Sequence, residues 1–192
     1  MGALMADTIA DEVRDIDALA DAAFRDCERL PLAMDPREIG ARVLTFPEHE
    51  DLVAGGATID WLFRMREKRK AGRRILGTCY MPKVQGDLSD LFDYLLANYL
   101  GRTPDFLIVL DWAYFMEATE AQREILCFHE LKHAGQARDA FGAPRFDRDG
   151  MPIWAIHAHD IEEFDDVVRR YGVHNSDVDF FLKAITAHME RA

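Results

Sequence analysis

The stretch QREILCFHELKHA, residues 122–134, decides how the rest of this 192-residue chain is read. Inside it, His129-Glu130-Leu131-Lys132-His133 spells H-E-x-x-H. On a helix, residues four apart stand about 40° apart around the axis and roughly 5.4–6 Å along it. Both imidazoles can then reach one cation from one face. Glu130, between them, is placed to hydrogen-bond a water on that cation rather than to ligate it. Zinc suits this pattern, because imidazole is a good ligand for it and a catalytic site needs only three protein groups. The bland alternative is a pair of core histidines with an incidental glutamate.

The flanking sequence supports a helix at this place. FLIVL at 106–110 is a short apolar run rich in β-formers, bounded by Pro104 and Asp111-Trp112, and reads as a buried strand. Thr119-Glu-Ala-Gln122 matches a capping box, with Thr119 able to accept from the Gln122 amide and Gln122 able to reach back. From there nothing but Gly135 interrupts a helix until about Phe141, and Gly142 with Pro144 supply a stop. Ile125, Leu126, Phe128 and Leu131 spread apolar groups around most of this helix, so it should be buried. A buried His-Glu-His triple needs partners, and a metal satisfies it economically.

Composition narrows the class. A chain of 192 residues with 49% hydrophobic content can bury a sizeable core, and its length fits one domain with an extension. The start, MGALMADTIADEVRD, is acidic where a signal peptide would be basic and then apolar. No run approaches the ~18 apolar residues of a membrane span. The three cysteines, Cys27, Cys79 and Cys127, are widely spaced and form no C-x-x-C, which fits free thiols in a reducing cytoplasm. Cys127 lies two residues before His129, about 200° around the helix, and reads as a small core residue. A formal charge of −12 argues against a surface built for nucleic acid or anionic membrane. One local exception is Arg64–Arg74, RMREKRKAGRR, with seven basic residues and one acid. It reads as a solvated helix end and turn, with nucleic-acid contact as the minor alternative.

Along the chain, residues 6–29 carry Ile9, Val13, Ile16, Ala20 and Phe24 at helical spacing on an acidic background. Asp35-Pro36 opens a second helix to about Leu44. Gly55-Gly56 marks the internal boundary, so residues 1–55 form a helical N-terminal extension and 56–192 the main domain. Ile59, Leu62 and Phe63 suggest a third helix running into the basic turn. Arg74–Met81 reads as a second strand, with Gly77 as a bulge or a close approach. LSDLFDYLLANYL at 88–100 reads as a helix capped at Gly101.

Two imidazoles hold zinc poorly alone, so a third ligand should follow. IHAHDIEEF at 156–164 is dense in ligand types: His157, His159, Glu162 and Glu163 all qualify, with His159 preferred and Glu163 next. The apolar spacing of Ile161, Phe164, Val168 and Tyr171 makes 158–171 helical, with Gly172 as its stop. Asp160 or Glu163 could instead orient a ligating histidine.

Three segments carry a resemblance: PDFLIVLDWAYF at 104–115, QREILCFHELKHA at 122–134 and HDIEEFDDVVRRYG at 159–172. The chain resembles the phage metallopeptidases, small zincins encoded in phages and prophages. The resemblance spans about residues 56–172. It implies an α+β, zincin-like fold in which a small mixed sheet packs on a buried H-E-x-x-H helix. It also implies zinc peptidase chemistry, with a third ligand from the later helix. The chain departs from the metzincin pattern, since Gln136 and Asp139 stand where a glycine and a histidine would follow. Leu76-Gly-Thr-Cys79 only faintly echoes the W-G-S-C strand of other small zincins.

The expectation is a cytoplasmic Zn²⁺-dependent hydrolase of protein or peptide substrates. His129, His133 and His159 are the metal ligands, Glu130 is the general base, and Tyr171, Arg170 and His174 are candidates to steady the oxyanion. The competing expectation is a non-catalytic module stabilised by a closed zinc site and contacting protein, or DNA through Arg64–Arg74. Such a site would have no need of Glu130.

Overall fold

The computed structural model describes residues 23–27, 30–160, 173 and 176–191. It divides after His157, and the first unit, Met1–His157, holds the sheet and the H-E-x-x-H segment. The architecture is α+β, with a small mixed sheet and six α-helices among the described residues.

Two strands form the centre of the sheet: β2 (Ile59–Arg64, IDWLFR) and β6 (Phe106–Asp111, FLIVLD). They run parallel, with Trp61 opposite Ile108 and Phe63 opposite Leu110. Near-continuous apolar runs suit strands covered on both faces. Asp residues fix the register at both ends. At the start, Asp105 Oδ2 accepts from the Thr58 amide at 2.8 Å and from its hydroxyl at 2.7 Å. At the far end, buried Asp111 accepts from Arg74 at 2.5 Å and faces Arg64 at 4.0 Å. Burial alone would raise the Asp111 pKa, but Arg74, the Tyr114 amide and the Arg64 charge together hold it below the usual carboxylate range. The edges are β1 (Phe24–Arg25), antiparallel to β2, and β5 (Gly77–Tyr80), antiparallel to β6.

Helix α1 (Pro36–Val43) opens as expected: Asp35 caps it by accepting from the Arg37 amide at 2.9 Å, and Pro36 occupies the first turn. Ile39 and Val43 of α1 are fully buried, in one core with Phe63, Phe106, Ile108, Leu110 and Phe115. Helix α2 (Glu50–Ala54) follows a 3₁₀ turn at Pro47–His49. Helix α3 (Ser89–Leu100) matches its expected span but buries none of its residues. Helix α4 (Trp112–Glu117) is capped by the Asp111 side chain, which accepts from the Tyr114 amide at 3.0 Å.

Helix α5 (Glu120–His133) carries the opening motif. The capping box is present: Thr119 N–H donates to Gln122 Oε1 at 2.9 Å and the Gln122 amide to Thr119 Oγ1 at 3.3 Å. Its buried stripe is Leu126, Cys127, Glu130 and Leu131, whereas Ile125 is exposed. The stripe packs into the same core as α1.

Three local expectations are corrected. Residues 59–63 are strand rather than helix: Ile59, Leu62 and Phe63 mimic helical spacing, but pairing with β6 buries aromatic and branched side chains that also favour strands. The basic stretch is not a helix end. It forms a hairpin, β3 (Arg69–Lys70) against β4 (Arg73–Arg74), around a two-residue turn in which Ala71 and Gly72 both have positive φ (49° and 77°). Helix α5 ends at His133 rather than near 141, and the chain turns at once into β7 (Ala134–Gln136), paired with β8 (Trp154–Ile156).

The second unit, Ala158–Ala192, contains α6 (Ser176–Met189). Most of the expected N-terminal helix and the 161–171 part of the expected ligand helix lie outside the described residues. No described helix is long and apolar enough to cross a membrane.

Candidate metal centre

The last turn of α5 positions three of the expected site residues. His129 is exposed and His133 half-buried, and their ring centroids are 5.1 Å apart with an interplanar angle of 79°. Helical spacing alone produces this, since both residues project from one face. His133 is fixed further. Its Nδ1 lies 2.8 Å from the main-chain carbonyl of His157, and the His157 amide donates back to the His133 carbonyl at 2.7 Å. A carbonyl can only accept, so Nδ1 carries the proton and the lone pair falls on Nε2. A ligating histidine needs this tautomer to offer Nε2, with its other nitrogen anchored.

The β7–β8 ladder is what makes that anchor. Ala134 pairs with Ile156, so the residues just outside the pair, His133 and His157, face each other. Gly135 contributes by having no side chain, because a Cβ there would overlap the His157 ring. His157 therefore acts through its backbone, a role for which the sequence carries no signal at the histidine itself. Its only trace is Gly135, which could be read as a close approach.

Glu130 faces inward, 3% exposed, in the apolar stripe of α5. Its carboxylate rests on the α-carbon of Gly77 in β5, where any Cβ would collide with Oε1. The Cys79 amide hydrogen-bonds the carboxylate, and Oε2 is buried with no hydrogen-bond partner among the described residues. Burial pushes the Glu130 pKa up to about 7, against the lowering effect of that amide. A buried carboxylate with one oxygen left over is costly unless something else engages it. The two helical imidazoles are a donor set that fits a borderline divalent cation such as zinc.

His159 is the second residue of the second unit. Among the described residues it is exposed, as is His129 in the first unit. Asp160 is described, whereas Glu162, Glu163, Arg170, Tyr171 and His174 lie outside the described residues. The three cysteines are free and buried, as expected for core thiols. A cleft of about 520 Å³ opens beside this region, lined by Glu50, Asp51, Lys132, Ala134, Arg138 and His157 among others. His129, Glu130 and His133 do not line it, so this cleft is not where the imidazoles converge.

An α+β core that presents two histidines one turn apart at the end of a helix marks a candidate metalloprotein. The chain matches the model of the family described as "putative phage metallopeptidase" over residues 31–186, and it belongs to that family. The family's description points to a metal-dependent peptidase acting on protein substrates. No curated protein and no solved structure matches the chain.

Proposed function

We propose that this protein is a zinc metallopeptidase of a phage or prophage, acting in the bacterial cytoplasm, with His129, His133 and His159 as ligands and Glu130 as general base. The observation that carries the reading is the orphaned Oε2 of buried Glu130, on the same helix turn as His129 and the tautomer-fixed His133. When bound, zinc would supply Lewis acidity and positive charge at the imidazole cluster. Glu130 takes a proton from the attacking water at Oε2 and returns it to the leaving amine, and a pKa near neutrality suits both directions. Gly77 and the Cys79 amide hold the carboxylate in place during these transfers. His133 keeps its orientation through the His157 carbonyl. Free buried thiols accord with a reducing compartment.

The test is Glu130→Gln, which keeps the side chain's size but cannot accept the proton. Bound zinc and thermal midpoint should stay near wild type. Peptide hydrolysis, read by mass spectrometry on an unfolded protein mixture, should fall by ~10²–10⁴. Full activity in the variant would remove Glu130 from the mechanism.

A further inference from the structure

The basic hairpin has no part in the proton chemistry, yet it is joined directly to the strand that cradles Glu130. In the antiparallel β5–β6 ladder, the Leu76 carbonyl accepts from the Asp111 amide at 2.7 Å, so Leu76, Thr78 and Tyr80 direct their backbone groups toward β6. Gly77 and Cys79 direct theirs to the free edge, and the Cys79 amide there meets Glu130. No described strand pairs this edge, and beyond the amide that Glu130 takes, the Gly77 backbone and the Cys79 carbonyl are left as a template for an extended peptide beside the carboxylate.

The hairpin reaches this strand through the Lys68 side chain. Ile75 N–H donates to the Lys68 carbonyl at 2.8 Å, which pairs those two residues. Lys68 Nζ lies 3.4 Å from the hydroxyl of Tyr80, whose side chain shares one face of β5 with that of Thr78. Side chains alternate along a strand, so this is the face of β5 opposite Glu130.

The charges there are only partly used. Arg64 and Arg74 serve Asp111, and Arg69 pairs with Glu67. Arg66, Lys68, Lys70 and Arg73 are exposed, and none has an acidic partner among the described residues. The rest of the chain is strongly acidic, which disfavours a long polyanion while leaving the local field intact for a short one.

We propose that this hairpin selects the substrate: an extended peptide on the β5 edge, with acidic side chains at alternate positions directed at Arg66, Lys68, Lys70 and Arg73. The inference rests on the peptidase reading above, because it takes the peptide bound on the β5 edge to be the substrate.

The test uses full-length Glu130→Gln protein with added zinc. Its probes are fluorescein-labelled peptides of one length carrying Glu, Gln or Lys at alternate positions, read by anisotropy. At low salt the Glu peptide should bind about tenfold more tightly than the Gln peptide, the sum of a few exposed ion pairs, and the Lys peptide most weakly. Molar salt, or Lys68→Gln with Lys70→Gln and Arg73→Gln in a protein of unchanged circular dichroism, should erase the difference. Equal affinities, or a Glu advantage that survives the triple substitution, would overturn the inference. So would duplex DNA that binds more tightly than the Glu peptide and is lost in the same variant, which would make the hairpin a nucleic-acid surface.

Cleavage of the unlabelled Gln peptide keeps the two readings apart. Cleavage by wild type but not by Glu130→Gln, without any acidic preference in binding, overturns the hairpin's role alone. Acid-selective binding with no cleavage of any peptide overturns the peptidase reading, and the substrate role falls with it.

Discussion

Glu130 occupies the space that a side chain at residue 77 would fill, its carboxylate lying against the Gly77 α-carbon. Gly77→Ala must therefore move Glu130. Misplacing a catalytic group by about 1 Å can cost ~10²-fold, so hydrolysis should fall by that order while bound metal stays constant. Steady-state rates paired with metal analysis decide it. An unchanged rate would mean that the cradle does not set the position of the base.

The His133–His157 connection predicts a different phenotype. Gly135→Ala pushes the His157 ring away and disturbs the carbonyl that fixes the His133 tautomer. Metal affinity should drop ~10–100-fold, the usual cost of losing an orienting partner. His157→Ala keeps the carbonyl and should lose much less. Competition against a chromophoric chelator ranks the two variants, and a larger loss in His157→Ala would make its ring a ligand.

Metal content tests the ligand set directly. His129→Ala and His133→Ala should each leave the purified protein without zinc, and His159→Ala should weaken binding far more than His157→Ala. Chelation should abolish hydrolysis and added zinc should restore it. Unchanged zinc in both helix variants would rule out the site.

Acid stability should carry a signature of His49. This histidine is 1% exposed, set edge-on to Phe128 with centroids 5.0 Å apart, and its Nε2 has no hydrogen-bond partner among the described residues. Burial, and then the Lys132 charge, hold its pKa below the ordinary value. The unfolded chain therefore binds the proton more readily. His49's contribution to stability is complete above the unfolded pKa of ~6.5 and is lost as pH falls toward the depressed folded value. Urea midpoints should decline through this window in wild type and less steeply in His49→Phe. Parallel curves would show that His49 is not the group responsible.

Local signals carried much of this fold into the sequence. Thr119 and Gln122 announce the start of α5, Asp35-Pro36 that of α1, and the 106–110 run announces β6. Non-local pairing decided the rest. Ile59, Leu62 and Phe63 satisfy a helical period and a buried strand equally, and only their partners some 47 residues later choose between them. The end of α5 at His133 is set by the β7–β8 ladder, which sequence spacing cannot foresee. At the site, residue types were legible and backbone roles were not. The two helical histidines and Glu130 follow from spacing, whereas the His157 carbonyl and the Cys79 amide have no side-chain signature. Gly77 was readable as a close approach, but not what approaches it.

The three cysteines sit at separate stations: Cys27 beyond the β1 edge with its thiol on the Trp61 carbonyl at 3.3 Å, Cys79 in β5, and Cys127 inside α5. Burial pushes the Cys27 and Cys79 thiols up to about 12 and Cys127 higher still, so almost no thiolate exists at neutral pH while the core is closed. An alkylating reagent can then react only when a segment opens. The order in which the three thiols become labelled is a built-in clock of local unfolding, and Cys79 times the strand that cradles Glu130.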